Sequence, residues 1–361
     1  MHVGPVETVK GIDGTRLSPA KLEIERLSSI GNTTHGGFAV LDPLVQSFFG
    51  GLSTGSETPD LHDFLRYHSE RYFCDGVPLA TNGRGEVPLT PALPPSPIHA
   101  MFFQGMRHTL FDFNEAYANY QCLRAAGGDV RLLTHETGHN AVAGAPADPG
   151  ITFQPVGNEL WDRCGNVDPI GATLAFFDEH LRGNLGAAST VVPQQVCLSL
   201  SAGDRVLVDD VTVGAEGVPF SVPSTIIASG TSAEPAVADL GFVTGSAGDV
   251  LAGIPAVDVQ VLGSANPNLR LYLGIGQQRA GFPGIWDLVD NQVTPIRGTG
   301  PHAVDLVGVA ERLGPGDRLA LLIYSRQPQF ELPASIPSPA PTSASFNVSG
   351  SVYLPLLGPT P

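Results

Sequence analysis

Ile98-His99-Ala100-Met101-Phe102-Phe103-Gln104-Gly105 is an apolar run of strand length, and it leads into Met106-Arg107-His108-Thr109-Leu110-Phe111. An amphipathic stretch over 112–126 follows, then a second apolar run, Val130-Arg131-Leu132-Leu133-Thr134, then Glu136-Thr137-Gly138-His139-Asn140. A strand, a helix of about four turns and a second strand predict a parallel βαβ unit, because parallel neighbours need a crossover of this length. In such units chemistry gathers on the loops at the carboxyl ends of the strands. Here those loops carry His108 with Asp112, and His139 with Glu136.

Outward from this unit the chain changes character twice. Residues 1–40 are polar and Gly-rich, and 41–73 carry helical patterning with Pro59 at a helix start. The Gly- and Pro-rich stretch 75–97 reads as loop. After the unit, 169–181 predicts a last helix containing Phe176-Phe177-Asp178-Glu179-His180-Leu181. From about residue 190 short runs of Val, Leu and Ile alternate with Gly, Pro, Asn and Asp. They fall at 205–213, 256–262, 269–274, 303–309, 319–324 and 345–354, and they read as an antiparallel β-sandwich. The expected organisation is a cap-like region over 1–97, an α/β region over 98–190 and a sandwich over 191–361.

Composition narrows the function classes. The chain has 361 residues and a formal charge of −16, and its only lysines are Lys10 and Lys21. Nucleic acids and anionic membranes are held by dense cationic contacts, so neither is an expected partner. No apolar run approaches the roughly 20 residues of a membrane span, and the first thirty residues are not a secretory signal. A soluble protein is expected, cytoplasmic or secreted. The four cysteines, Cys74, Cys122, Cys164 and Cys197, lack the paired spacing of a zinc site. No metal or cofactor is expected. Cys122 reads as core. Cys74 and Cys164 lie in loop-like contexts and are candidates for a disulfide in an oxidising compartment.

Gln104-Gly105-Met106-Arg107-His108-Thr109-Leu110-Phe111, with Asn114-Glu115-Ala116 after it, resembles the acid-bearing segment of cocaine-esterase and Xaa-Pro dipeptidyl-peptidase-like hydrolases, which reads roughly Q-G-x-x-D-T-L-F. Gly138-His139-Asn140 is similar to that family's histidine loop, and 176–183 to its closing helix. Val304-Asp305-Leu306-Val307-Gly308-Val309-Ala310 and 316–323 are similar to strands of its C-terminal jelly roll. The resemblance covers roughly 95–357. It implies the C-terminal portion of an α/β-hydrolase, a partial parallel sheet with cap helices, followed by an all-β jelly-roll sandwich. It also implies hydrolysis of acyl esters or of Xaa-Pro-type peptides, with a small-molecule ester or peptide as substrate.

The resemblance assigns His139 as the catalytic base. It also shows a departure, since His108 stands where the family has the acid. Asp112 is a replacement acid or, more simply, the cap of the next helix. Gly51-Leu52-Ser53-Thr54-Gly55 spells the nucleophile-elbow pattern, but Phe48-Phe49-Gly50 is a poor strand before it and Glu57-Thr58-Pro59 a poor helix after it. Only 97 residues precede the acid segment, too few for the sheet, helices and cap that come first in the family. The expectation is therefore a chain lacking the nucleophile half. It is either a non-catalytic remnant or a subunit that assembles with an N-terminal hydrolase fragment or as a homo-oligomer. A jelly-roll binding module is the alternative. Trp286, Asp287 and Asp290 form a polar and aromatic loop of the sandwich that in this fold faces the active-site cleft or, more simply, is an ordinary surface loop.

Overall fold

A computed structural model of the chain describes residues 96–108, 112–138, 163–201, 203–228, 234–265, 269–327 and 345–358. It also describes Tyr67, Tyr72, Cys74, Gly76, Leu79, Ala80, Thr81 and Val87 before them. The fold is mostly β, with few helices and open sheets. Among the described residues no helix is long and apolar enough to cross a membrane.

The βαβ unit is present. Strand β1 (Ala100–Gly105) pairs in parallel with β2 (Val130–His135), from Ala100 opposite Val130 to Gly105 opposite His135. Helix α1 (Phe113–Ala125) crosses between them, and the Asp112 carboxylate caps it by accepting from the Asn114 N–H at 3.0 Å. The sheet does not stop at β2. Strand β3 (Val196–Ser201) pairs in parallel with β2, and β4 (Asp204–Val208) pairs antiparallel with β3, giving the order β1-β2-β3-β4. The apolar run at 205–213, read from sequence as sandwich, thus contributes its first half to this sheet.

Alternation sorts the two faces of that sheet. Leu132 of β2 and Leu198 of β3 meet Phe113, Tyr117 and Tyr120 of α1 on one side. Leu133 and Cys197 meet Val167 and Ala172 on the other, where α2 (Pro169–Arg182) and the short α3 (Ala187–Val191) lie. Helix α2 begins at Asp168, which accepts from the Gly171 N–H at 2.9 Å, and it ends at Gly183 in left-handed backbone.

The remaining strands are β5 (Thr212–Val213), β6 (Val218–Ala228), β7 (Ala236–Val243), β8 (Asp249–Ile254), β9 (Ala256–Leu262) and β10 (Arg270–Gln278). After these come β11 (Asp287–Leu288), β12 (Thr294–Arg297), β13 (Gly300–Asp305), β14 (Val309–Leu313), β15 (Arg318–Tyr324) and β16 (Ser345–Leu354). One sheet runs β11-β10-β15-β7 with β12 also on β10, and a second runs β13-β9-β16-β6. They share one core: Val257, Val259, Val348 and Val352 from one sheet meet Leu271, Leu273, Leu321 and Ile323 from the other. Each such side chain contributes roughly 1.5–3 kcal/mol by leaving water. The described helical turns in this span are three-residue 3-10 segments, Gly214–Glu216 and Val289–Asn291.

A third sheet, β14-β8-β5, joins the layers. Val250, Ala252 and Ile254 of β8 face the α1 core, while Leu251 between them faces the sandwich core. A strand buried on both faces loses its polar-out alternation. The linkage is tightened where Asn114 of α1 donates to the Leu306 carbonyl at 2.9 Å and accepts from the Gly308 N–H at 2.8 Å.

The cysteines pair differently from the sequence expectation of Cys74 with Cys164. Cys74 is bonded to Cys122, and Cys164 to Cys197. Cys122 is therefore not a free core thiol. The bond ties Cys74 to α1.

Candidate functional site

The carboxyl ends of β1 and β2 lie side by side, so the loops that leave them must touch. They touch through glycine. A Cβ on Gly105 would strike the Thr137 carbonyl oxygen. One on Gly138 would strike the Arg107 carbonyl oxygen and come within 2.6 Å of its carbon and 2.8 Å of the His108 nitrogen. The loop that carries Gly138 therefore rests directly on Arg107–His108. Gly138→Ala should cost about 1–3 kcal/mol, as overpacking does. Denaturant unfolding of that variant checks this, and a cost near zero would mean that the loops do not touch.

Of the four residues singled out by sequence, two can be placed. His108 is buried at 8 % exposure, and its N–H donates to the Gly105 carbonyl at 3.2 Å. Asp112 caps α1. His139 and Ser53 lie outside the described residues, as does most of the helical patterning at 41–73. His135, which strand alternation puts at the surface or at the strand end, is the last residue of β2 and half-buried, with Nδ1 2.6 Å from Thr137 Oγ1. Burial pushes its pKa down to about 4, so it is neutral at pH 7.

Beneath these loops sits a cluster of charged groups that sequence reading did not assemble. Glu136, one residue past β2, is 1 % exposed and lies 3.6 Å from the Arg107 guanidinium. Burial raises its carboxyl despite Ser199 and Arg107 beside it. The loop between β11 and β12 closes over the same place from the sandwich. Its Gln292 donates to the Met106 carbonyl at 2.6 Å and the His108 carbonyl at 3.4 Å.

Asp290, in the same loop, is 3 % exposed and adopts left-handed backbone at φ 49°. Its Oδ2 accepts from the Ala310 N–H at 2.7 Å, and its Oδ1 has no hydrogen-bond partner. Burial first, then the charge of Glu136, holds this carboxyl well above the ordinary range. Glu311 of β14 is pushed up to about 7 for the same two reasons. The sequence reading of Asp290 as part of a surface loop is thus overturned, although Asp287 beside it is exposed. The one local signal was Asp290-Asn291, since Asp and Asn tolerate left-handed backbone best after glycine.

Chemically this is a packed acid–arginine junction under the strand-end loops. Among the described residues no group of three or more His, Cys, Asp or Glu side chains could hold a metal ion.

No family model and no curated protein sequence matches this chain. Solved structures do. A CocE/NonD family hydrolase from Staphylococcus aureus matches 72 % of this chain and 54 % of its own, at 9 % identity and a TM-score of 0.46. An α-amino acid ester hydrolase matches 73 % of this chain and 56 % of its own, at 15 % identity and 0.46. An aminopeptidase from a marine sediment archaeon, a Thaumarchaeota archaeon, matches 69 % and 53 %, at 12 % identity and 0.45. The likeness is distant, and the chain spans about half the length of each.

Proposed function

We propose that this chain carries the C-terminal portion of a serine-hydrolase architecture, the acid-side and histidine-side loops of an α/β core followed by a jelly-roll sandwich. Its ancestral chemistry is hydrolysis of acyl esters or Xaa-Pro-type peptides, and alone it performs none. The observation that carries the reading is the seating of Gly138 on Arg107–His108. In a triad, the histidine that takes the serine's proton must lie beside an ionised carboxylate, which orients it and stabilises the imidazolium formed during acylation. The contact between the loops supports such a juxtaposition in lineage, with His139 directly after Gly138.

The side chains around it do not favour the chemistry. His108 stands in the acid's place, and a second imidazole supplies no negative charge. Asp112 is engaged by the first turn of α1. Glu136 is buried against Arg107 with its proton held more tightly than usual. Ser53 is not the nucleophile in this reading, because its surroundings lack the strand and helix of an elbow.

The test is turnover of an activated short-chain ester by the purified chain and by Ser53→Ala and His139→Ala. The expected result is the same background rate in all three. Turnover that disappears in both variants would overturn the proposal and make Gly51–Gly55 a true elbow.

A further inference from the structure

Helix α2 is apolar on two sides. Its inner stripe, Pro169, Ala172 and Phe176, is buried against the sheet. Its outer stripe, Ile170, Leu174, Phe177 and Leu181, continues to Leu185 beyond the helix, with exposures of 52, 64, 50, 77 and 88 %. These outer positions recur at the three- and four-residue spacing of one helix face. Soluble helices keep that face polar, and a helix apolar on both faces is one that is covered on both.

The stripe is continuous with the end of the sheet. The imidazole of His180 on α2 stacks on that of His99, just before β1, at 4.0 Å between centroids, and its Nε2 lies 2.9 Å from Asp129. Met101 of β1 packs into the core beneath α2. Phe103, on the same face of the strand two residues on, is 39 % exposed, and Ile98 is 52 % exposed. Among the described residues no strand pairs with the outer edge of β1. The surface therefore asks for two things at once, a strand along β1 and an apolar helix along α2.

A second copy of this chain offers both. We propose that α2 and the outer edge of β1 form a twofold interface between two copies. The β1 strands pair antiparallel across the axis, and the two α2 stripes lie against each other. A twofold axis perpendicular to the sheet keeps both α2 helices on the same side, so one patch meets itself.

The area is sufficient. At on the order of 100 Å² of apolar surface for each large side chain, the seven residues named approach the roughly 800 Å² per partner of a stable interface. The charges beside the stripe are already satisfied within the chain. Asp178 is bound by Arg182 at 3.1 Å and by Asn184 at 2.6 Å, and Glu179 accepts from the Ala188 N–H at 2.8 Å.

The test is sedimentation equilibrium of the full chain across the micromolar range, with Leu174→Glu/Leu181→Glu as one variant and Phe103→Lys as another. All three side chains are exposed in the single chain, so circular dichroism should stay at the wild-type value, and melting temperatures should agree once the wild type is diluted to monomer, since association raises them. The wild type should be a dimer. The helix variant should associate at least about a hundredfold more weakly, because an unpaired carboxylate resists burial. The edge variant should do the same, because a lysine on an edge strand blocks edge pairing. A monomeric wild type overturns the proposal, even one that binds an added strand-and-helix partner. So does a dimer that neither variant weakens.

Discussion

The double variant Asp290→Asn/Glu311→Gln should be more stable than the wild type at pH 8 by at least about 3 kcal/mol, and nearly equal to it at pH 4. The sign follows from the folded-state pKa values. Glu311 is raised to about 7, and Asp290 and Glu136 are raised as well. In the unfolded chain these acids titrate near pH 4. Their packing thus favours the protonated form, and the stability they contribute is complete below about pH 4 and lost as pH rises through each folded-state pKa, about 7 for Glu311.

His135 works the other way. Its pKa of about 4 lies below the unfolded value, so its contribution is present above about pH 6.5 and lost as pH falls to 4. The two trends oppose each other in that range, and above pH 6.5 the carboxyl loss stands alone. Urea unfolding at pH 6.5 and pH 8 reads it directly. The amides keep the shapes of the protonated acids, and asparagine accepts the left-handed backbone of position 290. If wild type and variant lose the same stability between those pH values, the junction does not hold its carboxyls protonated.

The groups in that prediction show where sequence reading ends. The βαβ unit was legible because each part announces itself locally: apolar runs of strand length, Asp112 as a cap, and glycines where the loops must touch. Strand β9 was legible for the same reason, since Val257, Val259 and Val261 alternate with Asp258 and Gln260, although its pairing with β16 was not. Strand β6 was not. It contains Pro219 and Pro223, which argue against a strand, and it is tolerated because β6 is the last strand of its sheet and pairs on one side only.

The acid junction was illegible in a stronger sense. Gln292 reaches Met106 across 186 positions, and nothing near Asp290 in the sequence says that a β1 loop will cover it. In isolation, Asp287 to Gln292 reads as an acidic turn. Its burial is a product of the three-stranded sheet that presses β14 onto β3, and that sheet is built from short segments without strong period. His139 and Ser53, by contrast, were singled out by motif alone, and their roles rest on the ester assay.

Removing the Cys164–Cys197 disulfide, as Cys164→Ser/Cys197→Ser, should lower the unfolding free energy by about 4 kcal/mol, the loop-closure value for a separation of 33 residues. The sequence reading paired Cys74 with Cys164 and left Cys122 in the core, and it went wrong because spacing does not choose among partners. The sheet chooses. Cys197 is the β3 residue that points to the α2 side, between Leu198 and Val196, which point to the α1 side. Cys164 closes a small turn with Val167 just before α2, and the two Cα atoms stand 6.1 Å apart, within bonding reach.

The bond therefore pins the α2–α3 segment to the middle of the sheet, and both cysteines are at most 2 % exposed. The serines would lose the covalent closure and would also leave two buried hydroxyls in a small apolar cluster. Cys164→Ala/Cys197→Ala separates the two effects, because alanine removes the bond without adding polar groups. Chemical denaturation of both variants gives the answer, with Cys74→Ala/Cys122→Ala, which keeps only this bond, measured with and without reductant. If that background is equally stable in both conditions, this bond does not form. A loss shared by the reduced background and the alanine pair would assign the stability of the α2 layer to the crosslink.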